Sequence, residues 1–375
     1  MFSLRHLPAL LLALCTIPSI LAAPQDYSSP STCANPIIRR EWRSLRPRQQ
    51  LNYIRAIQCM SRLPAQYATS WTGARSHWDD FIGVHVDQVN HIHWVGHFLI
   101  WHRYLLMRME RALREECGWT GGIPYWDYTI DTSSSVPIDS WPVFDATYGF
   151  GGNGPWVETP TDPPPMVIVP GRTGGGCVIN GPFTYDKFVL GIGPGYNASV
   201  NNPHCVLRDF APGMGTFHLT KAVWDGILAQ DTYGRMAKAV EPKPILGQAP
   251  TLHPDFHGGG HFLPGGSLGT MGDVAASPGD PLFYLHHSNL DRLFWTWQKA
   301  DLSKRLTDVS GPINMMDYDN VIGGNVTLNF EIDLGPLGKT RKLRELMDVR
   351  ALGGLDDGEG GWRCYEYDLT GALST

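Results

Sequence analysis

With 375 residues, 42% of them apolar, the chain carries enough material to bury a sizeable core in one large domain or two ordinary ones. A formal net charge of −6 with 18% charged residues leaves no basic footprint for nucleic acid. Beyond the N-terminus no run approaches the roughly 20 consecutive apolar residues of a membrane span, so a soluble mature protein is expected.

Residues 1–23 read as a signal peptide, with Arg5 ahead of a short apolar run that ends in the small residues Ala22 and Ala23. The remaining chain, 24–375, keeps Cys33, Cys59, Cys117, Cys177, Cys205 and Cys364, an even set that suits disulfides in an oxidising compartment. Six cysteines allow 15 connectivities, and the sequence does not choose among them. Asn197-Ala-Ser and Asn325-Val-Thr are glycosylation sequons, consistent with a secreted glycoprotein.

Apolar spacing predicts a helix over 44–63, capped at Ser44 with Pro47 early and Leu51, Ile54, Ile57 and Met60 on one face. A second helix is predicted after Ser76, through Trp78, Phe81, Val84 and His85. A third runs from about Ile100 through Tyr104, Met107 and Leu113 until Gly118 stops it. From Asp131 to Gly215 glycine and proline crowd the chain, which reads as loops and short strands pinned by Cys177 and Cys205. The clearest helix is 282–299, where Phe283, His287, Leu290, Phe294 and Trp297 alternate by steps of four and three. Short strands are expected at 325–330 and near 362–367.

Histidine placement carries the chemistry. His85, His91, His93, His97 and His102 fall within eighteen positions, far denser than isolated core or surface histidines. Farther on, His257 and His261 stand four apart in HPDFHGGGHFLPGG, the spacing that sets two imidazoles on one helical face. A zinc peptidase would need glutamate after the first histidine as its base, and Gly258, Gly259 and Gly260 stand there instead. Three glycines in a helical turn cost on the order of 1 kcal/mol each against alanine, so either a neighbour approaches closely or the turn is not helical. The third candidate for this metal comes from His286 or His287. Adjacent helical residues diverge by about 100°, so both cannot point the same way. His287 is chosen, with Asp291 one turn on as a possible hydrogen-bond partner. All-imidazole ligands favour copper, zinc, iron or nickel.

HIHWVGHFLIWHRYLL, HGGGHFLPGG and SPGDPLFYLHHSNLDRLFW together resemble the paired copper signatures of the short secreted fungal tyrosinases and catechol oxidases (polyphenol oxidases) and of hemocyanins. Pro36-Ile-Ile-Arg-Arg-Glu-Trp42 and Tyr365-Glu-Tyr367 resemble the ends of that family's catalytic domain, so 24–375 is expected to be one such domain. The resemblance implies a mainly α fold, a four-helix bundle core holding a dicopper site with long loops and small strands around it. It implies two copper ions, one on His85, His93 and His102 and the other on His257, His261 and His287. It also implies dioxygen and a phenolic small molecule as reactants, with o-diphenols, and as an extension monophenols or phenolic metabolites, giving o-quinones; the charge balance above leaves nucleic acid out as a partner.

Two departures matter. His91 stands where longer fungal members carry a cysteine bonded to the ligand histidine, and Gly258 replaces an asparagine found in many monophenol hydroxylases, which tilts expectation toward catechols. The pair His93 and His97 remains an alternative ligand reading, His286 reads as a supporting residue, and Phe262 is a candidate for shaping the entrance. The same bland structural reading covers His77, His204, His218 and His253. The chain ends soon after Tyr367, so no C-terminal domain covering the site is expected. A hemocyanin-like oxygen carrier and a secreted zinc hydrolase are the rival functions.

Overall fold

The computed structural model describes residues 33–243, 255–352 and 362–368. The expected signal peptide at 1–23 and His253 lie outside them. In chain order the elements are β1 (Ile37–Arg39), α1 (Pro47–Met60), α2 (His77–Ile92), α3 (Phe98–Glu115), α4 (Tyr128–Thr132), α5 (Pro212–His218), α6 (Lys221–Leu228), α7 (Tyr233–Val240), α8 (Phe256–Gly265), α9 (Leu282–Lys299), α10 (Leu302–Arg305), β2 (Glu331–Ile332), β3 (Arg341–Lys342) and β4 (Tyr365–Tyr367). The architecture is mainly α, and α2, α3, α8 and α9 form the four-helix core that the sequence led us to expect.

Helix starts follow local chemistry. Ser76 opens α2 with a capping box: its hydroxyl accepts the Asp79 N–H, and the Asp79 carboxylate accepts the Ser76 N–H. The expected cap of the first helix is corrected. Ser44 ends a one-turn 3-10 helix at Trp42–Ser44, and α1 begins at Pro47 with the Gln49 side chain accepting the Arg46 N–H. After α3, Gly118 adopts φ +67, which breaks the helical path without the penalty a side chain would bring.

The periodic helix α9 occupies the bounds read from the sequence but is buried on every face rather than one, since α3, α6, α8 and α10 all pack on it. The triple-glycine turn is helical. A Cβ at Gly258 would run into the Asp255 carboxylate, one at Gly259 into His218, and one at Gly260 into the His286 ring. Close approach therefore explains all three glycines, at the cost in helix propensity noted above.

The 131–215 excursion is irregular, as expected, and Cys177–Cys205 pins it. Arg208 fastens it to the core through two hydrogen bonds of 2.8 and 2.9 Å to Asp280, both side chains being fully buried. Cys59–Cys117 ties the end of α1 to the end of α3, and Cys33–Cys364 closes the parallel pair β1–β4, in register Ile37↔Tyr365 to Arg39↔Tyr367. Residues 325–330 are not the expected strand. Asn325 makes an isolated bridge to Pro312, the Phe330 N–H closes a turn on the Thr327 carbonyl, and pairing begins only at β2 against β3. Among the described residues no helix is long and apolar enough to cross a membrane.

Candidate metal centre

Two groups of buried histidines face each other in the helical core. His85 lies mid-way along α2, His93 caps its C-terminal end, and His102 lies on α3; one ring nitrogen from each falls within 4.8 Å of the others. His257 and His261 lie one turn apart on α8. With His286 and His287 of α9 they form a second group of the same tightness. Rings stack across the gap, His102 on His287 at 4.3 Å and 8°, and His93 on His257 at 5.7 Å and 20°.

Backbone carbonyls set the tautomers. Nδ1 of His85 meets the Ala275 carbonyl at 2.6 Å, that of His93 the Val89 carbonyl at 3.0 Å, that of His102 the Phe98 carbonyl at 2.9 Å, and that of His261 the Met271 carbonyl at 2.9 Å. A carbonyl only accepts, so Nδ1 carries the proton in each and Nε2 is left as a lone pair. For His93 and His102 the carbonyl belongs to the residue four earlier, so the helix itself orients the ring.

Burial favours the uncharged imidazole. It lowers His85, His102, His261 and His287 well below the ordinary histidine value, and brings His93 and His257 down to about 4. All six are therefore neutral donors near pH 7, which is what a metal requires of them. Nε2 of His85, His102 and His257 is buried without a hydrogen-bond partner. Leaving such atoms unpaired is costly, so a ligand for them is the physical expectation. Nε2 of His261 lies 3.3 Å from Nε2 of His287, close to the roughly 3.4 Å that separates two imidazole nitrogens sharing one tetrahedral ion. The donor set fits a metal, and its all-nitrogen, thiolate-free composition suits copper.

The common central domain of tyrosinase matches residues 75–300. The chain belongs to the tyrosinase family. It is 35% identical over 355 residues to tyrosinase P of Aspergillus terreus, covering 89% of this chain and 93% of that one. It is 32% identical over 370 residues to the N-acetyl-6-hydroxytryptophan oxidase of Emericella nidulans, with 89% and 93% covered. Among solved structures, a mutant polyphenol oxidase from Thermothelomyces thermophila superposes with a TM-score of 0.71 at 31% identity, covering 88% of each chain. This tyrosinase-family protein is thus a copper oxidoreductase of the tyrosinase type, with phenols and dioxygen as its reactants.

Other expectations meet the structure less evenly. His97 is absent from the grouped donors, because its Nε2 is spent on the His91 carbonyl at 2.8 Å and its ring packs on Phe330. Asp291 does not bond His287, whose Nδ1 has no partner; the carboxylate instead holds Arg39, Arg103, Tyr365 and Tyr367. Phe262 is half-buried against the core. His77 pairs with Asp80 at 2.8 Å, His204 with the Asn202 carbonyl, and His218 accepts the Asp255 N–H, so each has a structural role.

Sequence reasoning missed Glu241, at the end of α7. Its Oε1 lies 3.2 Å from His257 Nδ1, its Oε2 accepts the Trp94 N–H, and a carboxylate oxygen lies within 4.8 Å of ring nitrogens of both His93 and His257, one from each histidine group. Burial pushes this carboxyl up to about 8. Trp94, directly after His93, is left-handed at φ 51, and its carbonyl accepts from Met316 at φ 61. Such strain costs about 1–3 kcal/mol per residue and is held here beside the site. No spacing rule ties Glu241 to either motif, so nothing in the sequence pointed to it.

Proposed function

We propose that this protein is a secreted oxidase of o-diphenols that works with two copper ions, one on His85, His93 and His102 and one on His257, His261 and His287, within a single catalytic domain spanning 24–375. The observation that carries the reading is the facing pair of neutral histidine triads, with most of their outer nitrogens fixed on carbonyls and their inner nitrogens turned together. Bound copper supplies the redox step, in which a diphenol gives up two electrons and two protons and dioxygen is the acceptor.

The chain's own part is to hold the donors neutral and pre-oriented and to keep the centre dry, so that little reorganisation accompanies turnover. His257 and His261 are 7% and 8% exposed, more than the other four, which supports entry of the phenol from the α8 side. Beside His257, Gly258 has no side-chain amide to orient a water for phenol deprotonation. The space a side chain would take is filled by Asp255, already engaged in capping α8. Loss of a positioned proton acceptor is worth about 100-fold or more, so monophenol turnover is expected at least about 100-fold below catechol turnover. The relatives reported above are named tyrosinases and oxidases, which does not favour the oxygen carrier.

Oxygen uptake with a catechol and with a monophenol, measured on protein of known metal content, tests this reading. Two coppers per chain and catechol consumption abolished by chelation and restored by copper are the expected results. Zinc alone in folded protein, or copper without turnover, would overturn the reading. Three disulfides and two exposed sequons support passage through the secretory pathway. Glycosidase treatment of protein secreted by a fungal host should lower its apparent mass, and Asn197→Gln and Asn325→Gln should each remove one step of that fall; a mass insensitive to the enzyme removes that support.

A further inference from the structure

His286 is wholly buried, and neither ring nitrogen makes a hydrogen bond of ordinary geometry, the backbone of His257 being a weak polar neighbour. A packing role would be met by leucine or phenylalanine without burying two polar atoms that lack well-aligned partners. The α8 helix makes room for this ring, because Gly260 has no side chain where the imidazole lies. There it stacks on His257 at 5.7 Å and meets His261 and His287 edge-on at 4.7 and 4.9 Å.

We propose that His286 is a fourth nitrogen donor of the second histidine group, able to hold the metal in place of His287. The donor atoms of His257, His261, His286 and His287 all lie within 4.8 Å of one another, a spread that nitrogens about 2.0–2.1 Å from a shared ion can reach with small ring rotations. Neighbouring helical histidines diverge, yet a ring nitrogen of each falls within this spread. His287 faces the first group through His102, whereas His286 faces Tyr128 and Gly260. His286 would therefore hold an ion from the side away from the first group. That arrangement suits a loading or resting position, with His287 taking over when both groups are filled.

The inference rests on the copper reading above but can fail separately. Copper is titrated as Cu(I) into metal-free protein against a chromophoric chelator, with near-ultraviolet circular dichroism reporting the fold of each variant. Wild type should take two coppers. His287→Ala should still take two, the second held about 10- to 100-fold more weakly, while the double variant His286→Ala/His287→Ala takes one. If His287→Ala and the double variant bind alike, the proposal is overturned. Should His287→Ala misfold, His286→Phe decides: a second copper bound or released about tenfold faster or more weakly supports the proposal, and wild-type behaviour overturns it. A wild type that takes up no copper overturns both this inference and the function it rests on, whereas two coppers with matching single and double variants overturn this inference alone.

Discussion

Asp291→Ala is expected to cost about 3–5 kcal/mol of stability, read as a fall in the urea midpoint of the metal-free protein, because it strips the carboxylate from two buried arginines. Asp291 Oδ1 accepts from Arg103 Nε at 2.5 Å, while Oδ2 accepts from Arg39 at 3.1 Å and from the Tyr365 and Tyr367 hydroxyls at 2.6 Å each. Arg39 keeps Glu110 at 2.9 Å when Asp291 is lost, but Arg103 is left with only the neutral Gln298 side chain and the Leu346 and Met347 carbonyls. The penalty is that of an uncompensated buried charge, so Asp291→Asn, which keeps the volume, should recover little. A loss below about 1 kcal/mol for either variant contradicts this account.

The same carboxylate makes stability depend on acid. Burial by itself raises the Asp291 pKa, but Arg103 and Arg39, with the two tyrosine hydroxyls donating, outweigh it and leave the group below the ordinary aspartate value. A depressed carboxyl contributes its full stabilisation above the unfolded-state pKa and loses it as pH falls through the folded value. Wild type should therefore lose stability on the acid side of the ordinary aspartate range faster than Asp291→Ala does; parallel acid curves would refute the linkage. The network joins β1, α3, α9 and β4, one turn beyond His287. Fixing β1 and β4 there also fixes the helices that present both histidine groups.

How far the sequence could be read depended on what held each element. α9 was legible to the residue because its apolar and histidine spacing alone defines a helix, and the start of α2 because Ser76 precedes the spaced Trp78, Phe81, Val84 and His85. The glycine turn of α8 was ambiguous for a physical reason: glycine disfavours helix locally, and only the neighbours Asp255, His218 and His286 explain its presence. Helices α5 to α7 escaped notice, since 7 or 8 residues containing Gly213, Gly215, Gly226 and Gly234 carry too little periodicity, and packing on α8 and α9 stabilises them. Disulfide pairing and the reach of Glu241 are properties of proximity, which no spacing encodes. The histidine motifs were readable because metal ligation leaves a pattern in sequence that a lone buried carboxylate does not.

Gly260→Ala tests that packing argument against propensity, with Gly226→Ala as its counterpart. Both glycines lie inside helices, where alanine alone is favoured by about 1 kcal/mol. At Gly226 a Cβ meets nothing within 4 Å, so the substitution should stabilise the protein by about 0.4–1 kcal/mol. At Gly260 the Cβ is driven into the His286 ring, which is itself walled in by His257, His261, His287 and Tyr128 and has nowhere to turn. Overpacking of this kind costs about 1–3 kcal/mol, enough to reverse the propensity gain, and it displaces the rings of the second histidine group. Thermal unfolding of the metal-free variants should move in opposite directions, and copper affinity should fall for Gly260→Ala while Gly226→Ala keeps that of wild type. A Gly260→Ala protein as stable as wild type, with copper held as tightly, would show that the α8–α9 contact has slack and that the glycine run is not there to admit His286.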